Sequence, residues 1–322
     1  MPPIDVDALE DEWDRGGADR ARSRTGRGGG GGEPGRVVRV DRGAVQVALG
    51  DEVISARFAG SMRGESLVAG DHVRVRRGRA IEDARVVAKL PRETELLRTA
   101  DDTSSEERVL VANAERAVIV VAGEDPEGGG RFVDRILVAA QAGGLDAAVC
   151  VNKVDLGLPI EDLAGRYESL GLPVVLTSAK TGHGLDDLRR LLDGRWSVLT
   201  GHSGSGKTSL FNRLVPDADR AVAEVGRRGG RHTTVASVAM KVPGTDGGWL
   251  VDTPGVRTFG LGALSPRDLA GYFPELNGHG CAHADCAHDG DEGCAVPPQV
   301  GVTIHPERYD SYLRLLTSLR GT

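Results

Sequence analysis

The octapeptide Gly201, His202, Ser203, Gly204, Ser205, Gly206, Lys207, Thr208 constrains what this chain can fold into more than any other stretch. It satisfies G-x-x-x-x-G-K-[ST], in which the glycines let the backbone curl until successive N–H groups converge on the α- and β-phosphates of a nucleotide. Such a loop needs a strand before it and a helix after it. The apolar run from Trp196 to Leu199 reads as the strand, and residues 207–214 read as the helix, so bound phosphates would lie at a helix N-terminus where the dipole favours an anion. Lys207 should reach the β- and γ-phosphates, and the Thr208 hydroxyl should take one position on an octahedral Mg²⁺, with Ser209 continuing the nucleotide-binding turn.

Two further segments specify the base. Asn152, Lys153, Val154 and Asp155 follow an apolar strand, at the carboxyl end where open α/β sheets bind ligands. The Asp155 carboxylate can accept from both N1–H and the exocyclic amine of guanine, while Asn152 bonds the opposite edge and holds neighbouring loops. Adenine has no proton at N1, so binding it would leave a desolvated carboxylate unpaired, at a cost of about 1–3 kcal/mol. Ser178, Ala179 and Lys180 end the next strand, with a backbone N–H near Ala179 available to guanine O6. Two base-reading loops beside a phosphate loop point to GTP.

Downstream, the strand Trp249 to Asp252 runs into Thr253, Pro254 and Gly255. Asp252 is placed to hold Mg²⁺ through water, and the Gly255 N–H to face the γ-phosphate. Between the phosphate loop and this strand, residues 226–234 read GRRGGRHTT, a basic glycine-rich stretch suited to closing on γ-phosphate and Mg²⁺ through Thr233 or Thr234. Its arginines equally suit a solvated loop. Val256 stands where Ras-like GTPases carry the glutamine that orients attacking water, and valine can neither donate nor accept. Intrinsic hydrolysis should therefore be slow. His232 is the candidate to orient water in its place, against the plainer reading of an RNA or surface contact.

The remaining text sets the domain plan. Residues 1–35 pass from acidic to Arg/Gly-rich and cannot bury a core; they read as a flexible tail or as an arm touching RNA backbone. Residues 36–90 alternate apolar and polar positions with glycine punctuation, the pattern of a small oligonucleotide-binding (OB-like) barrel. Arg74, Arg76, Arg77, Arg79 and Arg85 give it a basic side, but Phe58 is its only ring, so nucleic-acid contacts would rest on phosphates. A purely structural barrel fits as well. Residues 91–108 read as a mobile acidic connector. From 109 to 262 strands and helices alternate, which means a parallel sheet covered on both faces. Cys150 reads as plain core.

Residues 263–322 hold Cys281, Cys286, His288 and Cys294, three thiolates and an imidazole able to close a tetrahedral structural Zn²⁺ site, with His279 or His283 competing for the histidine place. Residues 306–319 read as a helix with Tyr309, Leu313, Leu316 and Leu319 as its docking stripe. With four cysteines and no apolar run of about 18 residues, a cytoplasmic protein off the membrane is expected. The net charge of −7 leaves any attraction to RNA to local patches.

The order of the parts is rotated: the base-reading loops precede the phosphate loop, so the domain is a circularly permuted GTPase. This order, the barrel, GHSGSGKTSL, GRHTT at 230–234, DTPGV and the Cys/His segment resemble the ribosome small subunit-dependent GTPase A family over residues 36–322. The resemblance implies a monomeric cytoplasmic GTPase that binds the nearly mature small ribosomal subunit, contacts its rRNA through the barrel and zinc modules, and is stimulated by it. The alternative is a regulatory GTP switch whose barrel and zinc modules bind a protein partner. The Arg/Gly-rich tail and residues 227–230 fall outside the resemblance.

Overall fold

Strict alternation builds the N-terminal barrel. Its strands β1 (Glu33–Asp41), β2 (Ala44–Leu49), β3 (Glu52–Phe58), β4 (His72–Arg76) and β5 (Arg85–Lys89) close in the order β1-β2-β3-β5-β4. Val37, Val45, Val47, Val73, Val75 and Val86 fill its interior. The computed structural model describes residues 31–321 except 42, 79–82, 100–106, 124–125, 217–236, 254–258 and 263, and the main chain alone at 126–129. The expected tail at 1–35 thus lies almost wholly outside the described residues.

The stretch expected to be a mobile connector is ordered where it is described. β6 (Glu95–Thr99) and β7 (Glu107–Ala112) pair antiparallel, and Leu96 and Val111 are fully buried. Acidic composition concealed one apolar anchor, Leu96. Asp71 of the barrel, fully buried, accepts from Arg92 Nε at 2.7 Å and Nη2 at 3.1 Å, tying the barrel to the start of this ribbon.

Beyond the ribbon the chain alternates β8 (Arg116–Ala122), α1 (Pro126–Ala142), β9 (Asp146–Asn152), α2 (Glu161–Glu168), β10 (Val174–Leu176), α3 (Leu185–Leu192), β11 (Trp196–Gly201) and α4 (Lys207–Leu214), then β12 (Val238–Lys241) and β13 (Trp249–Asp252). The sheet order is β10-β9-β8-β11-β13-β12, parallel except for β12. One face packs on α1 and the C-terminal segment, the other on Leu188 and Leu192 of α3 and Leu210 and Leu214 of α4. Continuous apolar strands such as Val118 to Val121 follow from burial on both faces. The chain winds outward from β8 to β10, then returns to β11 and proceeds to the other side. That reversal puts a crevice at the carboxyl ends of β8 and β11. Cys150 is fully buried in β9, as expected of a core residue.

The C-terminal segment is mostly turns and short 3-10 pieces, closed by α5 (Pro306–Arg320). Pro306 opens the helix and His305 caps it, its ring nitrogen accepting from Glu307 N–H. The buried face carries Arg308, Ser311, Tyr312, Leu315 and Leu316, and the expected stripe docks with it, Leu316 buried and Tyr309, Leu313 and Leu319 partly buried against the same core. Arg308 widens that face beyond the apolar stripe. Its guanidinium donates to Asp134 of α1 at 2.7 Å and to Glu275 at 2.6 Å and lies 4.3 Å from the Phe273 ring centre, contacts a purely apolar periodicity cannot register. Asp134 also accepts from the Tyr167 hydroxyl at 2.9 Å, so α1, α2 and α5 share one buried joint.

Candidate nucleotide site and metal centre

Three of the sequence-derived loops meet at the carboxyl ends of strands on either side of β8. The phosphate loop leaves β11, residues 152–155 leave β9 and residues 177–180 leave β10. Asp252 ends β13 on the other side of the phosphate loop. Gly201 and Gly206 have φ +150° and +91°; a Cβ at Gly206 would stand 2.2 Å from Asn152 Nδ2, and one at Gly201 2.2 Å from the Val120 carbonyl. These glycines are therefore fixed by close approach as well as by conformation.

Asn152 is the pin between the loops. Its Nδ2 donates to the Ser205 carbonyl at 2.9 Å, and its Oδ1 accepts from Ala179 N–H at 3.2 Å and Thr177 Oγ1 at 3.3 Å. Here the Ala179 N–H expected to meet guanine O6 is engaged by Asn152, and the asparagine serves the loops. Lys153 turns the chain in a left-handed conformation at φ +66°. Beyond it, Asp155 accepts from Ser178 Oγ at 2.6 Å and lies 3.8 Å from Lys180 Nζ. The Ser178 hydroxyl in turn accepts from Thr181 N–H at 3.1 Å.

Lys207 folds back over the loop, donating to the Gly201 and His202 carbonyls at 2.6 and 2.7 Å. Burial pushes its pKa down, with the charge of Asp252 only partly offsetting this. Burial likewise raises the Asp252 carboxyl above the usual range, against the Thr253 N–H and Lys207. Each ion is thus withdrawn from water without a full partner. Thr208 and Ser209 are exposed at the start of α4. His232, Thr233, Thr234, Gly255 and Val256 lie outside the described residues.

In the C-terminal segment the ligand atoms of Cys281, Cys286, His288 and Cys294 all lie within 4.8 Å of one another. Tetrahedral zinc with Zn–S near 2.3 Å sets its donors about 3.7 Å apart, so this set fits the ion with a small contraction. Ala295 N–H points at Cys281 Sγ at 3.4 Å and His288 N–H at Cys286 Sγ at 3.4 Å, contacts that favour thiolates. Of the competing histidines, His279 Nε2 bonds the Glu275 carbonyl at 2.8 Å, and His283 is not in the group. Tyr309 and Tyr312 of α5 donate to the carbonyls of His288 and Ala287, clamping the ligand loop.

A sequence model of the RsgA GTPase family matches residues 89–262, more than half of the chain. The chain belongs to the RsgA GTPase family. A Gemmatimonas aurantiaca protein named small ribosomal subunit biogenesis GTPase RsgA is 37% identical over 282 residues, covering 82% of this chain and 91% of that protein. A Pseudomonas aeruginosa protein of the same name is 39% identical over 268 residues, covering 80% and 77%. Among solved structures, YjeQ from Thermotoga maritima superposes with a TM-score of 0.71 at 28% identity, covering 90% of this chain and 99% of that one. YloQ, described as a circularly permuted GTPase, shares the fold at a TM-score of 0.68 and 23% identity, covering 92% and 98%. The rotated loop order of this RsgA-family chain is that permutation.

The barrel's basic side differs from the sequence expectation. Arg77 is held by Glu33 and Glu52, each at 3.0 Å, and Arg74 reaches the Gly32 carbonyl at 3.4 Å. Arg79 lies outside the described residues. Exposed Arg57 instead faces exposed Arg85 in the β3/β5 register, and Arg76 faces Arg85 from β4. Arg57 was missed because 28 residues separate it from Arg85, and only strand pairing joins them. Among the described residues no helix is long and apolar enough to cross a membrane.

Proposed function

We propose that this GTPase acts in late assembly of the small ribosomal subunit, and that the subunit stimulates its hydrolysis. The observation that carries this reading is the convergence of the phosphate loop, Asp155 and the 178–180 loop on one crevice, in a chain that is about 37% identical to proteins named for that role. Asp155 reads guanine while Asn152 and Ala179 hold the loops around it, residues 201–209 hold the phosphates, and Thr208 with Asp252 holds Mg²⁺. Gly255 and one of Thr233 and Thr234 sense the γ-phosphate, and His232 orients water. The Arg57 and Arg85 surface supports phosphate contact with rRNA, since like charges directly opposite each other on paired strands are costly without an anion. Zinc at Cys281, Cys286, His288 and Cys294 is structural, and the protein works as a cytoplasmic monomer.

GTP turnover measured with purified small subunits, beside large subunits as control, tests the proposal. Stimulation by the small subunit alone is expected. Turnover unaffected by either, together with no salt-sensitive binding to small subunits in a non-hydrolysable GTP analogue, would leave a GTP switch with a protein partner as the better reading.

A further inference from the structure

The first half of the phosphate loop is a β-turn. Ser205 N–H donates to the His202 carbonyl at 3.4 Å and closes the turn over Ser203 and Gly204. Gly204 has φ +87°, while Ser203 has the ordinary negative φ. A negative φ at the second position and a positive one at the third belong to the type II turn. Types I and II differ by a flip of the central peptide, which here joins Ser203 to Gly204. Both residues are exposed, and a Cβ at Gly204 would meet no atom within 4 Å, so packing on Gly204 does not select the flip.

The imidazole of His202 does select it. Its Nδ1 lies 2.7 Å from the Ser203 carbonyl, and a carbonyl can only accept, so Nδ1 carries the proton. A trans peptide sets its C=O and N–H in opposite directions, so the Gly204 N–H points away from the ring that holds the Ser203 carbonyl. That N–H has no acceptor among the described residues. The ring is itself fixed. Phe132 of α1 meets it edge-on with centroids 5.9 Å apart at 88°, and almost fully buried Phe259 backs Phe132 at 6.2 Å and 75°. The Nε2 of His202 is buried with no partner among the described residues. An apolar side chain would fill the same space without that orphan, so packing alone does not account for the imidazole. The His202 carbonyl accepts from Ser205 Oγ at 3.0 Å and Lys207 Nζ at 2.7 Å, which leaves the Ser203 peptide as the part of the turn that the side chain controls.

We propose that the His202 side chain is a positioning group of the nucleotide site. It locks the peptide between Ser203 and Gly204 in the flip that presents an N–H, and not a carbonyl oxygen, to a nucleotide phosphate. The inference rests on the reading of residues 201–209 as phosphate contacts and adds a side chain to what their backbone supplies. Without the imidazole the peptide is free to turn its carbonyl outward, and binding a phosphate must first reverse it. Ligands that carry phosphate should therefore bind more weakly, while guanosine, which carries none, should be unaffected.

The full-length variants H202L, H202N and H202Q decide this through affinity for a fluorescent GDP analogue, competition by guanosine against it, and thermal melting without nucleotide. Leucine fills the space and removes the donor, the asparagine amide can donate from the place of Nδ1, and glutamine carries its amide one methylene too far. H202L should weaken GDP binding about five- to tenfold, with guanosine affinity within about twofold and melting unchanged. H202N should bring GDP affinity back to within about twofold of wild type, and H202Q should stay near H202L. Wild-type GDP affinity in H202L, an equal loss for GDP and guanosine, or H202N no better than H202L overturns the proposal. If H202L fails to fold, H202N against H202Q still decides. The K207A variant checks the underlying site separately: undiminished GDP affinity there would refute the reading of residues 201–209 as phosphate contacts, whereas the peptide lock stands or falls on the His202 variants.

Discussion

At the carboxyl ends of β11 and β13, Lys207 and Asp252 are withdrawn from water without full partners, whereas between α1 and α5 Arg308 sits against Asp134 and Glu275. Burial dominates the first pair, lowering the lysine and raising the aspartate. Burial also works against the Arg308 charge, but its two carboxylates outweigh it and hold its pKa above the ordinary value. The lysine of the first region and the arginine of the second thus shift in opposite directions. A joint satisfies its ions within the fold, while a ligand site leaves them needing an anion and a cation from outside.

The largest expected effect concerns the outer anchor of α5. The protein should carry one equivalent of zinc, and C286S should lose it. Hydrogen exchange would then show residues 281–294 deprotected, because metal binding energy of about 10 kcal/mol or more is folding energy for so small a segment. Nucleotide affinity should hold within about twofold. An intact, protected loop without metal would show that the tyrosine clamps suffice.

R308A should cost about 3–5 kcal/mol in chemical denaturation, since it strands two buried carboxylates. Replacing Arg308, Asp134 and Glu275 together by apolar residues of similar size should recover most of it. K207A should lower GTP hydrolysis by about 10²–10³-fold while shifting the stability of the nucleotide-free protein by less than about 1 kcal/mol. A stability loss like that of R308A would break the contrast.

The smallest effect is a pH dependence. The Asp252 pKa is raised on folding, so the folded state holds its proton more tightly than the unfolded chain. Its favourable contribution to nucleotide-free stability is complete below the unfolded value near pH 4 and is lost as pH rises through the folded value. D252N should flatten that part of the stability profile, measured by denaturation at several pH values. Mg²⁺ requires the ionised form, so Mg²⁺-dependent GTP binding should run the other way and weaken on acidification.

Much of this was legible in sequence because phosphate and guanine recognition need fixed residues at fixed spacing. The phosphate loop, Asp155, the rotated order and the cysteine cluster all show in one reading of the chain, and the strands around them show as continuous apolar runs. Two features did not. The 91–108 stretch looked like a connector because acidic residues outnumber Leu96 and its apolar neighbours, and the part of Arg308 in docking α5 went unseen because arginine counts as polar in any periodicity.

Local chemistry is written in consecutive residues, so sequence alone determined that the chain grips a nucleotide, which base it reads and which side chains could hold a metal. The tertiary structure decided which buried charges are paired inside the fold, as Arg308 is with Asp134 and Glu275. It also joined Arg57 to Arg85 across a barrel, gave Asn152 its role as the pin between loops, and set Phe132 between His202 and Phe259. Those outcomes depend on strand register and helix docking between residues far apart in the chain, which no local spacing encodes.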